Sequence, residues 1–343
     1  MIEFEHVTQK YGATVALKDL NLRINDGELF VLVGRSGSGK TTLLRMINRL
    51  NDPTQGRVLI DGVDVAKQNV QRLRQHIGYV LQSGALFPNM TVEQNAAIEL
   101  EVLGWGRDEQ KARVRDLLKK VGLQPDIFAQ RMPSELSGGQ AQRVGIVRAL
   151  AAKPKLILMD EPFSALDPTS RRQLQDLVLR LHREIGVTVV FVTHDMREAI
   201  RMADRVAVMS EGILQQCAEP QEVVSSPAND VVRGLFEEEN SESLTLATMI
   251  SAGFGHPVGG LLHVNDGGGE ESRESKGCEL KGYDSVFDLA AALKEQSRQS
   301  VPEAAIRVGG TLLTQGDLMA YLASRADVDI DRGAANDEQE GAR

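Results

Sequence analysis

The stretch GRSGSGKTT, residues 34–42, follows the apolar run LFVLV and leads into TLLRMINRL. It fits the pattern G-x-x-x-x-G-K-[ST], with Gly34, Gly39, Lys40 and Thr41 in the defining places and Arg35, Ser36, Gly37, Ser38 and Thr42 completing it. A continuous apolar run suits a buried strand, and Leu43, Leu44, Ile47 and Leu50 recur at helical spacing. The order is strand, glycine-rich loop, helix. Glycines let the backbone wrap closely, so successive N–H groups and the helix N-terminus point at phosphate groups. The pattern predicts that Lys40 reaches the β and γ phosphates of a nucleotide and that Thr41 ligates Mg²⁺. An ordinary glycine-rich turn is the competing reading, and the flanking strand and helix count against it.

Working outward, EFEHV and TVALKDLNLRI read as strands before the loop, and RVLIDG and HIGYVLQ as short strands after it. Residues 91–122 are mostly helical in pattern, DEQKARVRDLLKKVGL being the clearest amphipathic piece, with Gly122 as a helix stop. GGQAQRVGIVRALAA is helical up to Pro154, and KLILMD is a buried strand. SRRQLQDLVLRLHREIG, VTVVFVTH and DMREAIRMAD continue as helix, strand and helix. This alternation predicts an α/β fold, a mainly parallel sheet with helices on both faces.

LILMDEP, residues 156–162, ends an apolar strand in two acids. Asp160 can stand beside Mg²⁺ and Glu161 can poise an attacking water. The same pair could instead cap a helix. Its place downstream of a phosphate loop favours the first reading.

A third element, LSGGQAQR at residues 136–143, lies between those two. With it, the chain resembles the ATP-binding cassette (ABC) ATPases over roughly residues 2–235, with the motifs in the family's order. The resemblance implies a P-loop NTPase fold: a RecA-like mainly parallel sheet, an antiparallel β subdomain and a helical subdomain at about 88–150. Ser137, Gly138, Gly139 and Gln140 would form a second anion site at a helix start. In the family two copies pair head to tail, so that this site closes on the γ phosphate held by the partner's loop. Tyr11 matches the aromatic that stacks on adenine, and Gln82 the glutamine that touches Mg²⁺ and the water. The SALD run, Ser164 to Asp167, matches the loop that crosses between paired subunits, and His194 matches the histidine at the γ phosphate. Bland readings exist for each: a packed turn tyrosine, a polar strand end, a turn before Pro168, a structural histidine. The order of the motifs favours the functional set. It implies a hydrolytic enzyme using ATP and Mg²⁺, with Glu161 and His194 catalytic and Thr41, Gln82 and Asp160 at the metal.

Within the family, LRMINRL, IGYVLQSGALFPNMTV and ELSGGQAQRVGIVRALA most resemble importer ATPases for glycine betaine, choline and related quaternary amines. The implied partners are transmembrane permease subunits and, indirectly, an extracytoplasmic solute-binding protein. The implied location is the cytoplasmic face of the inner membrane. Importers of other small solutes such as amino acids share much of this text. A soluble ABC ATPase of nucleic-acid repair or translation is the rival from another class, and a protein that binds ATP without turnover is a second.

Composition agrees with a globular chain. It has 343 residues, 42% hydrophobic and 25% charged, enough for a cassette and a smaller unit. Its formal net charge of -9 argues against a broad grip on nucleic acid, which needs clustered Lys and Arg. No run approaches the roughly 20 apolar residues of a membrane span, and the N-terminus lacks a secretory signal. Cys217 and Cys278 lack metal-type spacing. The cassette is expected over residues 1–236, with an acidic, Gly- and Ser-rich linker over 237–280 and a disordered tail over 326–343. Between these, 281–325 is read as a small appendage in which GGTLLTQGDLMAYLA is similar to the end of a CBS regulatory module.

Overall fold

The structure is a computed structural model that describes residues 1–82, 85–238, 249–250, 253–257, 289, 293, 305–308 and 311–321. The chain divides into two compact units, Met1–Cys217 and Ala218–Arg343.

The first unit opens with β1 (Ile2–Tyr11), β2 (Thr14–Ile24) and β3 (Leu29–Val33), then α1 (Lys40–Ile47). β4 (Gln55–Ile60), β5 (Val63–Asp64), α2 (Val70–Gln75) and β6 (Ile77–Val80) follow. A helical stretch comes next: α3 (Val92–Val102), α4 (Arg107–Lys120), α5 (Pro125–Phe128) and α6 (Gly138–Ala151). The unit ends with β7 (Leu156–Asp160), α7 (Pro168–Ile185), β8 (Thr188–Thr193), α8 (Met196–Met202), β9 (Arg205–Ser210) and β10 (Ile213–Ala218). The expected strands and helices are present. Sequence reading missed α2 and the β9–β10 pair: polar positions blur the pattern in α2 (VQRLRQ) and β10 (ILQQCA), whereas β9 (RVAVMS) is a buried apolar run that was findable.

The strands form two sheets. β2-β1-β4-β5 is antiparallel, and β10-β9-β3-β8-β7-β6 is parallel from β9 to β6. Asp61–Gly62 and Glu211–Gly212 turn the β4–β5 and β9–β10 hairpins with φ of 52° and 75°, and 50° and 75°. Positive φ at both central residues matches the right-handed strand twist, and Gly takes it without a Cβ clash.

The core explains the layering. Alternation in β1 and β2 turns Ile2, Phe4, Leu20, Leu22 and Ile24 to one face, while β3, β7 and β8 are buried on both faces. Leu43, Leu44, Met46 and Ile47 of α1 share one cluster with that antiparallel face and with Phe30, Leu32, Leu158, Val190 and Val192 of the parallel sheet. α1 is therefore held in the wedge between the sheets, which fixes the loop preceding it. On the other face of the parallel sheet, Ile146 and Leu150 of α6 and Val178 and Leu181 of α7 line one small space with Ile157, Met159 and Val189. α3 packs on α6 and α4, forming the helical layer that carries the start of α6. The parallel sheet, the antiparallel sheet and the helical layer agree with the layering that the motifs imply.

In the second unit, α9 (Pro220–Ser225) and α10 (Asp230–Glu238) precede a small antiparallel sheet of order β11-β13-β12, from His256–Pro257, Thr311–Thr314 and Ala305–Val308. Thr314 and Asp317 bond reciprocally, and Asp317 also accepts from the Gly255 N–H at 3.2 Å. Phe254 meets the buried Tyr321 ring edge to face at 5.4 Å. The tail read over 326–343 and most of the linker read over 237–280 lie outside the described residues.

Gly78 of β6 sets the approach of α6: a Cβ there would lie 2.4 Å from the Ala149 carbonyl oxygen. Gly78→Ala is expected to destabilise the unit by about 1–3 kcal/mol through overpacking. Thermal unfolding should register this as a lower Tm, by roughly 2–4 °C per kcal/mol. An unchanged Tm would mean that α6 is not seated at this point.

Candidate active site at the carboxyl ends of the parallel strands

The loop between β3 and α1 is shaped by steric limits. Gly34, Gly37 and Gly39 have φ of 151°, 79° and 98°. A Cβ on Gly34 would lie 2.1 Å from the Met209 carbonyl oxygen, and one on Gly39 would lie 2.6 Å from that of Ala16. Only glycine allows β9 and β2 to press this close. Arg35, Ser36 and Gly37 form the exposed tip, while Ser38 is buried. Thr42 is half-buried in the first turn of α1.

Lys40 is only 4% exposed and folds over its own loop. Its Nζ donates to the Gly34 carbonyl at 2.6 Å, the Arg35 carbonyl at 2.8 Å and Ser38 Oγ at 3.3 Å. Burial pulls its pKa down, and the charges of Glu161 and Asp160 oppose that. The loop thus keeps a partly desolvated cation facing two carboxylates.

Asp160 ends β7 beside α1. Thr41 Oγ1 donates to its Oδ1 at 3.0 Å, Tyr79 OH reaches Oδ2 at 3.4 Å, and Arg45 Nη2 is 3.5 Å from Oδ2. Burial, with the Asp160 charge adding to it, pushes the Tyr79 phenol up to about 12, so it stays a donor. Glu161 follows with φ of 46°, a left-handed backbone uncommon for a non-glycine residue. Its N–H donates to the Val192 carbonyl at 3.1 Å, which ties that turn to β8.

The Glu161 carboxylate is where the remaining groups converge. Gln82 Nε2 and His194 Nδ1 each lie 3.5 Å from its Oε2, at the outer limit of a hydrogen bond. Gln82 Nε2 also donates to Ser164 Oγ at 3.0 Å, and Ser164 Oγ donates to the Glu161 carbonyl at 3.1 Å. His194 follows the end of β8 and is exposed. β3, β7 and β8 are neighbours, so Lys40, Thr41, Asp160, Glu161 and His194 gather past one edge of the sheet, where open α/β folds bind ligands.

The other predicted residues belong to the surroundings. Tyr11 ends β1, is 50% exposed, and its hydroxyl accepts from Asn51 Nδ2 at 3.0 Å. Ser137 caps α6 by accepting from the Gln140 N–H at 3.3 Å, and Gln140 Oε1 accepts from the Ser137 N–H at 3.0 Å. Gly138 and Gly139 start α6 beside Leu166 and Ser170. Asp167 caps α7, its Oδ1 accepting from the Ser170 N–H at 3.0 Å. The starts of α6 and α7 are therefore neighbours. Sequence reading did not foresee Arg45 and Tyr79 on Asp160. Arg45 is four residues from Thr41, on the same helical face, and was findable. Tyr79 reaches Asp160 only through the pairing of β6 with β7.

Taken together, the fold and the loop define a phosphate-loop cassette. A protein-family comparison matches residues 17–164 to the family described as ABC transporter. The Listeria monocytogenes carnitine transport ATP-binding protein OpuCA is 47% identical over 240 residues, 70% of this chain and 60% of that protein. The Escherichia coli (strain K12) glycine betaine/proline betaine transport system ATP-binding protein ProV is 40% identical over 310 residues, 85% of this chain and 76% of that protein. Among solved structures, the dimeric post-hydrolysis state of the ATP-binding cassette MJ0796 bound to ADP and Pi matches with a TM-score of 0.58 and 36% identity, over 64% of this chain and 99% of that one. The chain belongs to the ABC transporter family. It spans 60–63% of the length of the Listeria and Bacillus subtilis OpuCA proteins.

The Asp167 cap yields a pH-dependent expectation. Hydrogen bonds from Ser170 hold its carboxyl below the usual range. A depressed folded pKa contributes stability above the unfolded value, and that contribution is lost as pH falls through the folded one. Asp167→Ala should cost about 1 kcal/mol at pH 7. In urea unfolding the difference from wild type should hold down to about pH 5 and shrink below about pH 4, the ordinary Asp value.

Proposed function

We propose that this chain is the ATP-hydrolysing subunit of an importer that moves glycine betaine, choline, carnitine or a related quaternary amine through a separate membrane permease. The observation that carries the enzymatic reading is the convergence of Gln82 and His194 on Glu161, beside Asp160 and the Lys40 loop. The transport reading rests on the relatives, whose names specify carnitine, choline and betaine transport.

The chain's own groups suit each task. Loop N–H groups from Gly34 to Gly39 and the start of α1 would take the phosphates. Lys40 Nζ would exchange its loop acceptors for phosphate oxygens, and Tyr11 would stack on the base. Thr41 Oγ1 and Asp160 Oδ1, 3.0 Å apart, are hard oxygen donors that suit Mg²⁺ completed by phosphate, water and Gln82. Once held there, Mg²⁺ would neutralise charge on the transferring phosphoryl group. Glu161 would orient and deprotonate the attacking water, and His194 would donate towards the γ phosphate.

Ser137, Gly138, Gly139 and Gln140 would meet the nucleotide of a second copy, paired head to tail, with Asp167 at the crossing. The exposed start of α6 leaves room for this. Closure around two ATP molecules would then move the attached permease, since binding energy shared by both copies favours the closed state. The protein would work at the inner face of the cell membrane, attached to the permease. No described helix is long and apolar enough to cross a membrane. A solute-binding protein would meet the permease outside. We assign the cassette to residues 1–236, with its helical subdomain at about 88–150, and the 281–325 region to a degenerate CBS-like appendage.

Lys40→Ala should weaken ATP binding roughly 10- to 100-fold, the worth of a charged hydrogen bond, measured by equilibrium titration. Glu161→Gln should bind ATP normally, lose about 100- to 10,000-fold in turnover and trap a dimer. Normal hydrolysis by that variant would remove the assigned base. A tagged chain recovered from detergent-solubilised native membranes should bring a multi-span permease with it and show faster phosphate release in that complex. Recovery of nucleic acid or ribosomes without a membrane protein would overturn the transport reading.

A further inference from the structure

Behind His194 lies a buried acid that the reaction does not use. Glu198, in the first turn of α8, is only 6% exposed. Its Oε2 accepts from Thr193 Oγ1 at 2.5 Å and its Oε1 accepts from Gln175 Nε2 at 3.2 Å. Thr193 Oγ1 in turn accepts from the Asp195 N–H at 3.0 Å. The residues on both sides of His194 therefore hang on one carboxylate.

Helix capping does not explain it. Asp195 already caps α8, accepting from the N–H groups of Arg197 and Glu198 at 2.8 and 3.4 Å. A buried carboxylate is costly, and an apolar side chain would pack here at lower cost. Burial and the neighbouring Asp195 push Glu198 up to about 7, opposed by Thr193, Arg171 and Gln175. Both oxygens face donors, an arrangement that suits the ionised form.

The network continues outward. Gln175 belongs to α7, and its Oε1 accepts from Arg201 Nη1 at 2.6 Å, while Arg201 Nη2 pairs with Asp176 at 2.8 Å. α7 is the helix that Asp167 caps. One side-chain chain thus links the His194 turn to the helix that starts at the subunit-crossing loop.

We propose that Glu198 is a positioning residue that sets the His194 backbone turn through Thr193, and that Gln175 locks this turn to α7. The proposal rests on His194 acting in ATP hydrolysis. Glu198 is buried and is held by Thr193 and Gln175, so its loss should affect turnover and not binding. Replacing it by Gln puts an amide donor against Thr193 or Gln175, each already donating, and frees the turn to drift. A misplacement of about 1 Å can cost roughly 100-fold in rate.

The test is a double-mutant cycle. Glu198→Gln and Thr193→Val, which exchanges the hydroxyl for a methyl group, are made in the wild-type and His194→Ala backgrounds, with Tm, ATP Kd, KM and kcat measured for each. In the wild-type background, Kd and KM should stay within about twofold while kcat falls roughly 10- to 100-fold. In the His194→Ala background neither change should lower kcat further. Additive losses there, or unaltered kcat in folded Glu198→Gln and Thr193→Val, would overturn the proposal. A readout independent of turnover separates this from the ATPase reading: the His194 imidazole NMR signals, assigned by their loss in His194→Ala, should shift in Glu198→Gln. Unmoved signals reject the positioning role whatever the activity. Shifted signals with His194→Ala leaving turnover unchanged reject the catalytic reading, and with it the consequence proposed for Glu198.

Discussion

The carbonyl oxygen of Met209 stands where a side chain at Gly34 would begin, 2.1 Å from the ideal Cβ position. That contact brings β9 onto the phosphate loop, and the contact between Gly39 and Ala16 does the same for β2. Between them the loop has one backbone path, and α1 leaves it into the wedge between the two sheets. The direction of α1 sets where Lys40, Thr41 and Arg45 point. A larger residue at either glycine would have to move a strand that is itself part of a sheet, so the loop geometry and the packing of the unit stand or fall together.

Electrostatics at the strand ends is organised by partial desolvation. Lys40 and Tyr79 are partly withdrawn from water around the loop, and the charge of Asp160 favours the protonated form of each. Asp160 accepts from two hydroxyls while Arg45 stands nearby, so its charge is compensated. Glu161 is the less sheltered acid, with weak contacts to Gln82 and His194. Two adjacent carboxylates thus have different surroundings. One suits a fixed charge partner, the other a group that handles protons. The left-handed backbone of Glu161, tied to the Val192 carbonyl, turns these neighbours apart.

Deeper in, the Glu198 carboxylate shows a second use of burial. A buried acid carrying two donors costs stability but admits few alternative arrangements, and so specifies one geometry for the turn above it. The exposed His194 then depends on buried residues.

Much of this was legible in the residues. The spacing of Gly34, Gly39, Lys40 and Thr41, the apolar strand before Asp160 and the alternation of strands and helices are local signals, because each reports a short-range steric or hydrophobic constraint. They suffice for the α/β class, and with the LSGGQAQR run at residues 136–143 for the family. The order of strands in the sheet, the seat of α1 between two sheets, and the meeting of Tyr79 and Arg45 on Asp160 were not legible. Nor was the carboxylate of Glu198 under His194, which in sequence is one acid among many in a helix start. These depend on which strands pair and which side chains lose water together, and both are settled only when segments distant in the chain exclude solvent from one another.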